Sequence, residues 1–261
     1  MNDSRKMMNE VVEWKIRWYA MVDKIRVIAD DVEEDILVKE LSTSTYPRIL
    51  GFVNSFAMNS MVSNEVFFNA LYGADILLRD GSGMSMLMTR LAVNKGLNMN
   101  GTDFIPKLLT AYHGKRVAFW GTQEPYLSQA VAIAVALHGI IPVSVHHGFE
   151  SEQFYVDLAI KTQPEFIVLG MGMPKQEKIA AMIRDQNIAT LVVCGGAIID
   201  FMGNKVKRAP KWIRKIGFEW IYRLVHEPKR LYKRYVLGNP AFIYRMLRMH
   251  RVIASRKKSH V

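Results

Sequence analysis

The chain has 261 residues, half of them apolar, a single cysteine (Cys194) and a formal net charge of +11. That length suits one large domain, or one domain with an appendage, with ample apolar material for a core, and one cysteine excludes a disulfide framework and fits a reducing compartment. No apolar run reaches the ~18 residues of a membrane span, and the opening "MNDSRKMMNE" lacks the apolar stretch of a signal peptide, so a cytosolic protein is expected.

In chain order, residues 11–22 predict a short helix, "DKIRVIADD" a strand or hairpin, and "EEDILVKEL" a second helix. From about residue 47 a rhythm begins. Short apolar runs, "RILGFVN", "ADILLRDG", "RVAFWGT", "IPVSVHHG", "EFIVLGMG" and "TLVVCGG", alternate with helical patterns such as 123–138 and 174–186. Buried strands separated by helices predict an α/β fold, a Rossmann-like parallel sheet with helices on both faces. Ligands of such sheets bind beyond the carboxyl ends of the strands. Here those ends carry Asn54, Asp80-Gly81, Gly121-Thr122, His147-Gly148, Gly170-Met171-Gly172 and Gly195-Gly196.

Each strand end admits more than one reading. Asp80, ahead of the glycine turn at Gly81, is either a general base working on a hydroxyl or a helix N-cap. In "GTDFIPKLL", Thr102 or Asp103 caps the next helix, and Asp103 could instead bond a sugar hydroxyl. "FWGTQEP" has the Gly121 turn of a dinucleotide fold but lacks the later glycines of GxGxxG, which disfavours a nicotinamide enzyme. His147 in "VHHGFE" hydrogen-bonds in the cleft or belongs to a solvated loop, because no zinc-type ligand spacing accompanies it. "GMGMPKQEKIA" is the sharpest local feature. Its glycines, Gly172 among them, end a strand, Pro174 suits the first helical turn, Lys175 with free N–H groups makes an anion site, and Gln176 can donate and accept.

The basicity is confined to the last fifth of the chain. Residues 205–261 hold 17 Lys and Arg against Glu219 and Glu227, whereas residues 1–204 hold 18 against 22 acids. We therefore expect a mildly acidic Rossmann-like domain over 1–204 and a basic helical C-terminal appendage over 205–261, facing an anionic partner. Ile213, Ile216, Trp220, Ile221 and Leu224 share one helix face ending at Pro228. Phe242, Met246, Met249 and Ile253 form a stripe flanked by Arg245, Arg248 and Arg251. That stripe suits a helix lying on an anionic bilayer, or one packed on the domain with its solvated face basic. Nucleic-acid binding is not expected, since no reading motif stands out.

The run "GMGMPKQEKI…GGAIIDFMGNKVKRAPKWIRKIGFEWIYRLVHEPKRLYKRY" resembles the WecG/TagA/CpsF family of bacterial glycosyltransferases, and "ADILLRDGSGM", "GTDF", "FWGT" and "HGFE" fall in that family's order over about residues 45–240. The resemblance implies transfer of a sugar from a UDP-sugar to a polyprenyl-diphosphate-linked sugar, with inversion, by an enzyme with no cofactor and no evident metal requirement. It implies an appendage that helps complete the site and brings the enzyme to the membrane's inner face. Under it Asp80 is the base, Asn54, Asp103, Gln176 and Asp200 are polar cleft positions, and Arg208, Arg214, Arg223, Arg230 and Arg234 supply cations to the diphosphate. Phe52 stands where some relatives carry threonine, so that hydroxyl's role does not carry over. Self-association stays open at this level.

Overall fold

The computed structural model describes residues 2–215 and 217–250, with side chains from Glu13 onward except that of Lys215. The chain opens with helices α1 (Asn2–Lys24) and α2 (Asp31–Ser42). Strand β1 (Arg48–Val53) leads through α3 (Ser55–Ser60) and α4 (Glu65–Tyr72) to β2 (Ile76–Arg79), and α5 (Ser82–Arg90) and α6 (Gly101–Ala111) precede β3 (Arg116–Gly121). Then α7 (Tyr126–His138), β4 (Ile141–His146), α8 (Glu152–Thr162), β5 (Phe166–Gly170), α9 (Lys175–Asp185), β6 (Leu191–Cys194) and α10 (Ile198–Met202) complete the layer.

All six expected strands form, and they pair in parallel in the order β2-β1-β6-β5-β3-β4. The near-continuous apolar character of β1, β2, β3, β5 and β6 follows from burial on both faces, whereas the edge strand β4 is largely exposed. Ile49, Val53, Leu77, Trp120, Leu169 and Val192 face one core with α1, α4 and α9. Their neighbours Leu50, Phe52, Leu78, Phe119, Val168 and Val193 face the other with α2, α6 and α7. Alternate side chains on a strand point to opposite faces, so one apolar run fills two cores.

Three local expectations change. The first helix runs from Asn2 to Lys24 rather than over 11–22, because nothing in the preceding residues breaks a helix. "DKIRVIADD" forms neither strand nor hairpin. It makes one bridge, Ile25 with Leu77, on an edge strand only four residues long. The shared face over Ile213–Leu224 is not one helix either. Gly217, at φ +79, separates α11 (Lys211–Lys215) from α12 (Glu219–His226), and Pro228 opens α13 (Pro228–Tyr232) instead of only stopping a helix; position 216 lies outside the described residues.

A π-helical turn, Lys233–Leu237, leads into α14 (Gly238–Leu247). Here the two readings of the stripe separate. Phe242, Met246 and Met249 are buried in the core shared with Trp18 and Met58, and Phe242 stacks on Trp18 at 5.3 Å. Each buried side chain of this kind contributes about 1.5–3 kcal/mol relative to exposure. The stripe therefore packs on the domain and does not lie on a bilayer; Arg251 and Ile253 fall outside the described residues. Polar ties hold the same helix: Asn59 Nδ2 donates to Gly238 O (2.7 Å), Arg245 Nη1 to Asn59 Oδ1 (2.7 Å), and Arg90 to the carbonyls of Leu247 and Met249.

Candidate active site

The carboxyl ends of the four adjacent strands β2, β1, β6 and β5 open into one cleft, closed from above by α12 and the π-helical turn. Asp80, Asn54, Gly172, Gln176, Gly196, Glu219, Arg223 and Arg234 line it. Asn54 caps α3, its Oδ1 accepting from Ala57 N (3.0 Å), while its Nδ2 donates to Asp80 Oδ2 (3.3 Å). The turn holding Asp80 is braced from behind. The buried Arg79 guanidinium donates to the carbonyls of Lys95, Gly81 and Gly96, and Gly81 N donates to Asn98 Oδ1 (2.7 Å). Gly81 itself stands at the N-cap of α5 with no side-chain cap bond, so Asp80 is not that helix's cap.

Burial pushes the Asp80 carboxyl above the usual aspartate range, against the opposing pull of the Asn54 amide and of Arg234, Arg223 and Arg79. A carboxylate raised in this way is a stronger base. Glu219, a second cleft carboxylate, is also raised by burial, with Arg208, Arg223 and Arg214 opposing and Asp80 reinforcing.

The cations divide into two groups. Arg208 donates to Asp103 Oδ1 (2.5 Å) and Asn100 Oδ1 (3.3 Å), and Arg214 Nη1 lies 3.6 Å from Asp103 Oδ1. These pairs strap the segment after residue 205 to the start of α6. Burial works against the charge of Asp103, but the hydrogen bonds from Arg208 and Asn100 outweigh it and hold its carboxyl below the usual range. Arg230 is paired with Glu227 through two hydrogen bonds. Arg223 and Arg234 differ. Arg223 Nε and Nη2 and Arg234 Nε are buried without any protein partner, and their planes are steered by aromatic rings, Arg223 over Phe201 (5.2 Å) and Arg234 over Phe56 (4.9 Å). Buried guanidinium N–H groups left unpaired are costly, and an anion entering the cleft would satisfy them.

Several expected site residues stand elsewhere. Lys175 is no free anion site: its ammonium donates to the carbonyls of Gly148 and Glu150, which its long stem reaches easily. Pro174 stands just before α9, not inside its first turn. Asn100, rather than Thr102 or Asp103, caps α6, accepting from Asp103 N (3.0 Å). Asp200 accepts from Thr122 Oγ1 (2.5 Å) and pairs with Lys205 (3.2 Å), pinning α10 to the end of β3 outside the cleft lining. Gly121 is needed where β3 approaches β5, since a Cβ there would sit 2.5 Å from the Gly170 backbone. His147 lies past β4, at the far edge of the sheet, with Nδ1 accepting from Phe149 N (3.3 Å). Its ring, that of His146 and the Glu150 carboxylate bring ligand-type atoms within 4.8 Å of one another, a grouping the sequence spacing did not announce. Sequence reasoning missed Arg79, Asn100, Glu177 and Glu219 as parts of the site. Only Glu219 carried a signal, as one of two acids in a basic tail.

A larger groove between α5 and the end of α14, lined by Met86, Arg90, Lys95 and Leu247, lacks glycine turns, and its arginine is already engaged with carbonyls. The Asp80 cleft is therefore the candidate site.

The chain is 26% identical over 254 residues to the N-acetylglucosaminyldiphosphoundecaprenol N-acetyl-beta-D-mannosaminyltransferase of Staphylococcus aureus strain MW2, covering 91% of this chain and 96% of the relative, and it matches the protein of the same name from strain NCTC 8325 equally. Residues 24–256 match the glycosyl transferase WecG/TagA/CpsF family. With a parallel-sheet cleft holding one raised aspartate and two unpaired arginines, this chain belongs to the WecG/TagA/CpsF family and is a glycosyltransferase.

Proposed function

We propose that the protein transfers a sugar of the N-acetylmannosamine type from a UDP-sugar to a polyprenyl-diphosphate-linked N-acetylglucosamine, with inversion, during cell-surface polysaccharide synthesis. The observation that carries this is the set of buried guanidinium nitrogens without a protein partner, Nε and Nη2 of Arg223 and Nε of Arg234, on side chains that line the same cleft as Asp80. The printed names of the relatives support the acceptor and the sugar class.

The chemistry follows from the charges. Asp80 takes the proton of the acceptor hydroxyl as its oxygen forms the new bond to the anomeric carbon. The bond from that carbon to the diphosphate breaks on the opposite face, and UDP leaves with added negative charge. Arg223 and Arg234 meet that charge, so no metal is needed for the leaving group. Arg208 and Arg214 act at one remove, by holding the C-terminal segment over the cleft through Asp103, and Arg230 pairs with Glu227 inside that segment.

The acceptor's polyprenyl tail places the reaction at a bilayer. Among the described residues no helix is long and apolar enough to cross a membrane, and the surface of the C-terminal segment is the proposed point of contact. Trp212, Phe218, Val225 and Leu237 are exposed large apolar residues of the same segment, interleaved with Lys211, Lys229 and Lys233. Each cation near an anionic leaflet adds about 1 kcal/mol.

The decisive experiment is transfer from UDP-N-acetylmannosamine to a short-chain polyprenyl-diphosphate N-acetylglucosamine, measured with and without EDTA. Asp80→Asn should lose turnover by about 10²–10⁴-fold while still binding UDP. Near-wild-type turnover of that variant, or strict dependence on added manganese or magnesium, would remove this mechanism.

A further inference from the structure

Beneath the cleft, four residues form a closed hydrogen-bond unit. The fully buried Gln176 accepts at Oε1 from Gly172 N and Gly196 N, each at 3.1 Å, and donates from Nε2 to Glu177 Oε1 at 2.8 Å. Gly172 (φ +80) belongs to the turn after β5 and Gly196 (φ +61) to the turn after β6. Both turns line the cleft, and Glu177 does not. Glu177 is 2% exposed, and its second oxygen, Oε2, has no partner.

An amide can face either way, and only one orientation works here. Flipped, the NH2 group of Gln176 would meet two backbone N–H donors and its carbonyl would meet a carboxylate. In the orientation present, both lone pairs of Oε1 are occupied and one N–H is held by Glu177. The remaining N–H is all that Gln176 can offer a ligand.

We propose that Glu177 is a positioning residue which, through Gln176, locks the two glycine turns together and restricts Gln176 to donating toward the cleft. The ligand atom met there is an acceptor oxygen, of a phosphate or of the sugar. The identity of that ligand rests on the nucleotide-sugar reading above; the orientation of the amide does not.

Two measurements on the full chain separate these. The first is hydrogen exchange of the Gln176 side-chain amide, with its resonance assigned by its loss in Gln176→Met. It should be protected in the wild type and in Glu177→Gln, which retains an acceptor oxygen, and exposed in Glu177→Met. Equal exchange in all three overturns the positioning role. The second is UDP binding by calorimetry. Glu177→Met should weaken it about tenfold, a loss of ~1.4 kcal/mol, and Glu177→Gln should restore it to within about threefold. Adding Glu177→Met to Gln176→Met should cost nothing further, because Glu177 acts only through Gln176. An independent, additive loss contradicts the proposal, and so does a loss of binding in Glu177→Met that only follows a lowered melting temperature. If the wild type keeps a protected amide but binds neither UDP nor pyrophosphate, the nucleotide reading falls and the positioning role stands.

Discussion

Arg234 carries its charge in a place where the protein offers it no hydrogen-bond partner at Nε, and burial lowers its pKa for that reason first. Such a group lowers folded stability in order to hold a ligand. Arg234→Met should therefore leave the melting temperature unchanged or higher, while weakening UDP binding by about tenfold to a hundredfold, the scale of a charged hydrogen bond. Titration calorimetry beside thermal unfolding checks the opposed signs. The same substitution removes a cation that favours ionised Asp80. With Asp80 as the base, the acid limb of turnover should lie above the ordinary aspartate range in the wild type and move to still higher pH in this variant. Glu177 supplies a third residue-scale test. Burial raises its carboxyl from 4.5 to about 7, so the folded protein holds its proton more tightly than the unfolded chain. That contribution to stability is present below the ordinary pKa and is lost as pH rises from 4.5 to about 7. At ~1.4 kcal/mol per pH unit the loss is about 3 kcal/mol. Glu177→Gln should gain on the wild type by that order across the window in pH-dependent denaturant unfolding.

Single elements explain why the cleft stays assembled. Helix α14 puts Phe242 and Met246 into the core beside Trp18 and presents Arg245 to Asn59, so the segment carrying Arg223 and Arg234 is anchored at its far end by packing. Phe242→Ala should cost about 3–5 kcal/mol and reduce turnover, although the residue lines no part of the cleft. Thermal unfolding and the transfer assay read the two effects. At its near end the segment is fixed by the strap of Arg208 and Arg214 onto Asp103. An Asp103→Asn variant would leave two guanidinium groups short of their carboxylate and loosen the cover of the cleft.

At the scale of the whole molecule, the doubly covered sheet leaves its ligand-binding edge on the side where the C-terminal segment folds over. The segment's outward surface carries Trp212, Phe218 and Val225 beside lysines. Replacing Trp212, Phe218 and Val225 with serine should abolish pelleting with anionic liposomes at low salt, with the fold intact by circular dichroism; unchanged pelleting would detach the membrane from this surface. Removing residues after about 240 is a poorer test, since it also strips buried Phe242 and Met246 from the core.

The sequence by itself determined the six strands, the parallel α/β layer, the strand-end positions of Asn54, Asp80 and Gly172 and the helix-start position of Gln176, because continuous apolar runs between helices have few other ways to be buried. The family signature over the last part of the chain was legible for the same kind of reason: it lies in contiguous residues. Tertiary structure alone decided which cations are free. Arg208, Arg214, Arg223, Arg230 and Arg234 look equivalent along the chain, and only folding gives Arg208, Arg214 and Arg230 carboxylate partners in Asp103 and Glu227, with one Arg208 N–H still unmet, while Arg223 and Arg234 gain none. It likewise turned the Phe242 stripe inward and bent Lys175 toward Gly148. Amphipathic spacing states that a face will be buried, but what buries Phe242, and which carboxylate meets Arg208, depends on residues more than a hundred positions away.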